Sequence, residues 1–157
     1  MDIRPMTKDD EGEVSRLLCA CYRLLGGLEG LKPEAVDYLI SERGSVQSIR
    51  KEALQQSFLV AESEGRIAGM VAVGENRVLK LYVRPSDQGR GIGRALFIAA
   101  EVTIRRSGYN DLTLGSSPSA AGFYRAMGLS VIGRKHLDNG PLSGHTIILM
   151  SKDLAPM

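Results

Sequence analysis

The chain has 157 residues, 43% of them hydrophobic, with 20 Lys or Arg against 18 Asp or Glu. That balance argues against a nucleic-acid surface, which calls for clustered cations and a strongly basic domain, and the length and apolar content predict one globular domain over 1–157 rather than a disordered chain. No apolar run reaches the roughly 18 residues of a membrane span and Met1–Asp10 lacks a signal-peptide core, so a cytoplasmic protein without a membrane partner is expected.

In chain order, Ile3–Met6 is a short opening strand, and Thr7 is a helix N-cap followed by Asp9 and Asp10, whose charge suits a first turn. Val14, Leu17, Leu18, Cys21 and Leu25 recur at helical spacing on one face, and Gly26-Gly27 is expected to stop that helix. Cys19 and Cys21, one residue apart, point to different faces and suggest free thiols rather than a disulfide or a metal pair. A second helix can begin at Pro33 and end near Gly44, with a third short helical stretch from Ser45 to Gln56.

The period then changes. Phe58–Ala61 is a compact apolar run, and Ile67, Gly69, Val71 and Val73 alternate as a half-buried strand does. Val78–Val83 gives a third strand, and the tight connections at Glu64-Gly65-Arg66 and Glu75-Asn76 imply an antiparallel meander. A helix over Ile92–Ser107 is stopped by Gly108, with Leu96, Ala99, Ala100 and Thr103 on one face. Strand Leu112–Leu114, a short helix Pro118–Met127 closed by Gly128, and strands Leu129–Arg134 and Thr146–Met150 complete the chain. The fold class is therefore α/β, a mixed sheet with helices on both faces, an antiparallel first half leading into parallel strands.

The most specific local feature is Gln88-Gly89-Arg90-Gly91-Ile92-Gly93-Arg94, between a predicted strand and a predicted helix. Glycines let backbone approach a ligand, and a helix start supplies free N–H groups and positive dipole, which suits a phosphate. From Arg77 to Arg94 there are five basic residues and one acidic residue, Asp87, a local +4 in a chain of net +2. Neither register of the loop completes G-x-G-x-x-G, because Arg94 and Leu96 occupy the sixth positions, and there is no Gly-Lys-Ser/Thr triplet for a P-loop.

Leu81-Tyr82-Val83-Arg84-Pro85 followed by Gln88-x-x-Gly91-x-Gly93-Arg94-Ala95-Leu96 resembles the acetyl-coenzyme A signature of the GNAT N-acetyltransferase superfamily. Ser117-Pro118-Ser119-Ala120-Ala121-Gly122-Phe123-Tyr124-Arg125-Ala126-Met127-Gly128-Leu129 is similar to that family's second signature. The resemblance covers Ile3 to Leu154 and implies a splayed pair of parallel strands holding the pantetheine arm. It implies main-chain contacts from Leu81, Tyr82 and Val83, a pyrophosphate wrapped by Gln88, Gly89, Arg90, Gly91, Ile92, Gly93 and Arg94, and no metal. Ser117, where many members carry Asn, is either a coenzyme contact or an ordinary helix N-cap ahead of Pro118.

Tyr124 matches the family's acid, which protonates the departing coenzyme A thiolate; a phenol with an ordinary pKa of about 10 is protonated at neutral pH. The plain alternative is a core residue beside Phe123. A general base is left unassigned among Glu62, Glu64, Glu75, His136 and His145. The implied reaction is acetyl transfer from acetyl-coenzyme A to a primary amine by direct attack in a ternary complex, with a small-molecule or protein amine as partner and a homodimer as an option. A catalytically silent acyl-coenzyme A-binding module is the other reading of the same motifs.

Overall fold

The structure is a computed structural model that describes residues 1–156. Seven strands form one sheet in the order β1-β2-β3-β4-β5-β7-β6, namely β1 Asp2–Pro5, β2 Ser57–Ser63, β3 Arg66–Gly74, β4 Arg77–Val83, β5 Asp111–Ser116, β6 Ser130–His136 and β7 Thr146–Asp153. Helices α1 Glu11–Glu29, α2 Pro33–Arg43 and α3 Val46–Glu52 cover one face, and α4 Ile92–Arg106 and α5 Ala121–Ala126 cover the other. The apolar residues of β2 and β3 are therefore buried on both sides, and Val60, Ala61, Met70 and Val71 are fully enclosed.

β1 to β4 pair antiparallel in consecutive order, with Ile3 opposite Ala61 and Val71 opposite Leu81. The tight turns between β2, β3 and β4 place Glu64, Gly65 and Glu75 at φ of 55°, 76° and 54°. Left-handed residues of this kind match hairpin connections to the twist of their strands. β4 and β5 make the parallel junction, and β5-β7-β6 continue antiparallel, with Leu114 opposite Met150. The mixed sheet with helices on both faces is thus as the sequence predicts, with one parallel pair.

Three local expectations are corrected. Thr7 caps a 3-10 turn at Lys8–Asp10, its N–H and hydroxyl donating to Asp10 at 2.7 and 3.0 Å, so α1 starts only at Glu11. Gly26-Gly27 does not stop α1, which runs on to Glu29 and ends at Gly30 with φ 63°. Gly26 is instead a close-approach position, because a Cβ there would lie 2.6 Å from Val36 Cγ2 on α2. The predicted helix at Pro118 opens as a 3-10 turn over Pro118–Ala120 before α5.

α4 buries Ile92, Leu96, Phe97, Ala100 and Ile104 against the sheet, a slightly different face from that expected, since Ala99 and Thr103 are half-buried. Its far end is tied to β7, where Lys152 Nζ meets Glu101 at 3.0 Å and donates to the Met127 carbonyl at 2.8 Å. Lys152 thereby joins the C-terminal end of α5 to α4.

Candidate functional site

The site begins with a missing strand contact. β4 and β5 are paired at a single position, Arg77 with Thr113, and beyond it the edge of β4 that faces β5 has no strand partner. Arg84 donates its N–H to the Ala68 carbonyl at 2.7 Å, and Tyr82 stands opposite Met70, so their main-chain groups point to β3. Main-chain groups alternate sides along an antiparallel strand, so those of Leu81 and Val83 face the gap. The Val83 carbonyl accepts from Cys21 Sγ at 3.2 Å and from Gln88 Nε2 at 3.3 Å. The Tyr82 ring packs edge-on to Tyr22 with centroids 5.3 Å apart.

The gap opens into a cleft of about 600 Å³. One wall is the end of α1, with Cys21, Leu24, Leu25 and Leu28; the floor is Leu81, Tyr82 and Val83. The remaining wall carries Ser117, Ser119, Ala120, Phe123 and Tyr124. A recess of about 90 Å³ reaches further between β4 and β5 and shares Leu81, Tyr82, Ser117 and Tyr124 with the cleft.

At the other end of the cleft lie Gln88, Gly89, Gly91, Ile92, Gly93 and Arg94. Gly89 and Gly91 have φ of 81° and 82°, a conformation that side-chain-bearing residues rarely adopt, and a Cβ on either would meet nothing within 4 Å. The backbone rather than crowding demands glycine here, and the space above the loop stays open. Gly91 is the N-cap of α4 and supplies no side chain to it. The first N–H groups of a 15-residue helix therefore point toward the loop without a cap, as an anion site requires.

Asp87 holds this loop. It is 2% exposed and accepts from Arg66 Nη2 at 2.8 and 3.0 Å and from Arg90 Nη1 at 3.2 Å, with Arg84 Nε at 3.7 Å. Arg66 stands at the start of β3, so the carboxylate joins the β2–β3 hairpin to the glycine loop. Arg84 also donates to the Ile67 carbonyl at 2.7 Å.

The cationic stretch found in the sequence is not one cluster in space. Arg90 is turned to Asp87 and is absent from the cleft lining, Arg94 lines the cleft, and Lys80 is buried under the opposite helices against Glu52 at 2.6 Å and the Arg43 carbonyl at 3.0 Å. Desolvation pulls the Lys80 pKa down, offset in part by Glu52.

Tyr124 lines both the cleft and the recess and is 8% exposed, its ring 6.1 Å from Phe97 and 5.1 Å from Phe123. Burial raises its pKa, with Tyr82 adding to the effect, so it stays a neutral phenol across the neutral range. Ser117 starts the 3-10 turn but does not cap it with its side chain, which lies 3.4 Å from Ser119 Oγ.

None of the five base candidates lines the cleft. Glu62 pairs with Arg4, Glu64 and Glu75 occupy exposed turns, His136 meets Thr146 Oγ1 at 3.2 Å, and His145 lies beyond β6. The residues that sequence reasoning passed over are Cys21, Leu24, Leu28, Asp87 and Phe123. Asp87 carried a signal, the only acid among five bases. Leu24 and Leu28 did too, a turn apart on α1 and outside its core-facing stripe.

Among the described residues no helix is long and apolar enough to cross a membrane, and no group of three or more His, Cys, Asp or Glu is placed to hold a metal ion. Residues 28–145 match the family model described as an acetyltransferase (GNAT) domain. Solved structures of similar fold include a GCN5-related N-acetyltransferase from Rhodopseudomonas palustris, with TM-score 0.85, 22% identity, and coverage of 98% of this chain and 95% of that one. The PaiA N-acetyltransferase of Thermoplasma acidophilum, in complex with coenzyme A, aligns with TM-score 0.75 and 19% identity over 97% and 98% of the two chains. A ribosomal-protein-alanine N-acetyltransferase from Brucella melitensis aligns with TM-score 0.73 and 22% identity over 98% and 100%.

Proposed function

Because the chain belongs to the GNAT acetyltransferase family, we propose that it transfers the acetyl group of acetyl-coenzyme A to a primary amine by direct attack in a ternary complex, with Tyr124 as the acid. The observation that carries this reading is the continuity of the cleft: a strand edge at Leu81 and Val83 without a strand partner, an uncapped helix N-terminus behind Gly89 and Gly91, and the buried Tyr124 phenol in the same lining. Pantetheine is an amide-bearing chain that can pair with such an edge as a strand would. The pyrophosphate then lies over the start of α4, met by main-chain N–H groups and by Arg94.

In the chemical step the amine nitrogen attacks the thioester carbonyl carbon and the C–S bond breaks. The sulfur takes the proton of the Tyr124 hydroxyl, the acetylated nitrogen gives up its proton to water, and the phenol is reprotonated from solvent. A phenol held well above its ordinary pKa is a fully protonated donor at every working pH. The PaiA structure contains coenzyme A, which supports the choice of coenzyme.

The test is release of free thiol from acetyl-coenzyme A over a panel of amines, alongside thermal stabilisation by the coenzyme. Thiol release that depends on the amine is expected. Stabilisation without release over a broad panel would overturn transfer in favour of a silent binding module, and no stabilisation would overturn the coenzyme site itself.

A further inference from the structure

The wall of the cleft contributed by α1 is apolar for two turns. Leu24 and Leu28 are exposed large hydrophobic residues at 37% and 64%, which a chain keeps in a concave site at a cost in solvation unless something covers them. Phe123, 37% exposed, lines the same cleft. Leu25, Leu31 from the α1–α2 connection and Leu142 from the β6–β7 loop pack against the core cluster beneath α1.

In the lining itself every charged or titratable group is engaged, cationic or protonated, and Glu29 lies outside it. Asp87, the only carboxylate in the lining, is saturated by Arg66, Arg84 and Arg90. Glu29, at the end of α1, accepts the Ser119 N–H at 2.8 Å. Lys80 on β4 is paired with Glu52, and Arg94 is a cation. Cys21 donates to the Val83 carbonyl and burial pushes its thiol up to about 12, and Tyr82 is raised likewise.

We infer that the acceptor is a weakly basic amine next to an apolar substituent, either the α-amine of an apolar residue or an aryl amine, rather than a polyamine or a lysine-like ammonium. This rests on the transfer reading above. An ammonium brought into an apolar wall without a carboxylate is costly to desolvate. With no side chain in the lining poised to take its proton, the acceptor must arrive as the free base. At pH 7 a lysine-like amine is unprotonated in roughly one molecule in 2500, an α-amine in roughly one in ten.

The test measures kcat/KM against pH, with saturating acetyl-coenzyme A, for leucinamide, aniline, hexylamine and spermidine. Hexylamine matches leucinamide in apolar character but not in basicity. The greater intrinsic nucleophilicity of the stronger base takes back part of the difference in free-base fraction, leaving leucinamide or aniline favoured over hexylamine at pH 7 by about tenfold or more. Each profile should bend at the acceptor's own pKa, and which of leucinamide and aniline is faster separates the two sources. Leu28→Glu should lower kcat/KM for the favoured apolar amine and raise it for spermidine.

A bend near pH 6 to 7 common to all acceptors would reveal an enzyme base and overturn the inference, as would a preference for spermidine; both outcomes leave acetyl transfer standing. Absence of thiol release from all four amines would overturn the inference together with the reading it rests on.

Discussion

Replacing Asp87 by Asn removes one negative charge from a site where three guanidiniums converge. The substitution keeps the shape and one acceptor oxygen, so one of the two bonds from Arg66 and the attraction of Arg84 and Arg90 are lost. Removing one member of a fully buried ion pair costs about 3–5 kcal/mol, because the partner charge is stranded. Here two of the three partners are not stranded, since the side chains of Arg66 and Arg90 are 44% and 56% exposed and can rehydrate, while Arg84, 24% exposed, keeps its bond to the Ile67 carbonyl. Discounting for that screening leaves about 2 kcal/mol, mostly the charge-assisted bonds of Arg66. For a chain of this size that is a fall in Tm of about 4–8 °C, measurable by circular dichroism or calorimetry. The same change loosens the loop that carries Gly89 and Gly91, so the KM for acetyl-coenzyme A should rise about tenfold. S-acetylpantetheine, a donor without phosphates, should lose far less. A Tm within 1 °C of the parent would refute the network's contribution, and equal losses with both donors would refute a role specific to the anion end of the cleft.

Tyr124→Phe keeps the ring packed on Phe97 and Phe123 and removes only the proton; kcat should fall about a hundredfold or more while coenzyme affinity by calorimetric titration stays within about twofold. Gly91→Glu should leave the fold intact, since its Cβ meets nothing within 4 Å, although the left-handed φ adds modest strain. Its carboxylate at the start of α4 should remove detectable coenzyme binding, so retained affinity would contradict the loop assignment. Asp10 is held down to about 2 by its bonds from Arg4. A depressed carboxylate stabilises the fold above its unfolded value and loses that effect as pH falls through the folded one, so Asp10→Asn should narrow the stability difference from the parent between pH 4 and 2, as followed by urea unfolding.

What could be read from the chain depended on whether the signal was local. The meander was legible because both turns fall at Gly or polar pairs, but the alternation of Ile67, Gly69, Val71 and Val73 suggested a half-buried strand, whereas Ala68, Met70 and Ala72 between them are buried as well, Met70 and Ala72 under α1 and its neighbours. The glycine loop was legible because strand, loop and helix are contiguous. Gly26-Gly27 misled because a glycine can mark either a stop or a tight crossing, and only the position of Val36, ten residues on, decides between them. The apparent cationic patch misled for a related reason: Lys80 and Arg84 share a side of the sheet but take different partners, Lys80 under α3 against Glu52 and Arg84 at the Ile67 carbonyl, and Asp87 consumes part of the charge that remains. The α1 wall of the cleft was missed because a side chain such as Leu28 earns its meaning from a strand some fifty residues away.

The single Arg77–Thr113 pairing leaves the sheet with a seam. On one side lies the β1–β4 meander and on the other the β5-β7-β6 ribbon, each closed by its own ladder of hydrogen bonds. Across the seam the halves are joined mainly by the apolar core beneath α4 and by the clamp of Lys152 on Glu101 and Met127. A molecule lying in the seam therefore acts as a removable strand. Its arrival stitches the two ladders together and stiffens the whole sheet, and its departure lets them breathe independently, so the slowest amide exchange in β4 and β5 becomes a gauge of occupancy.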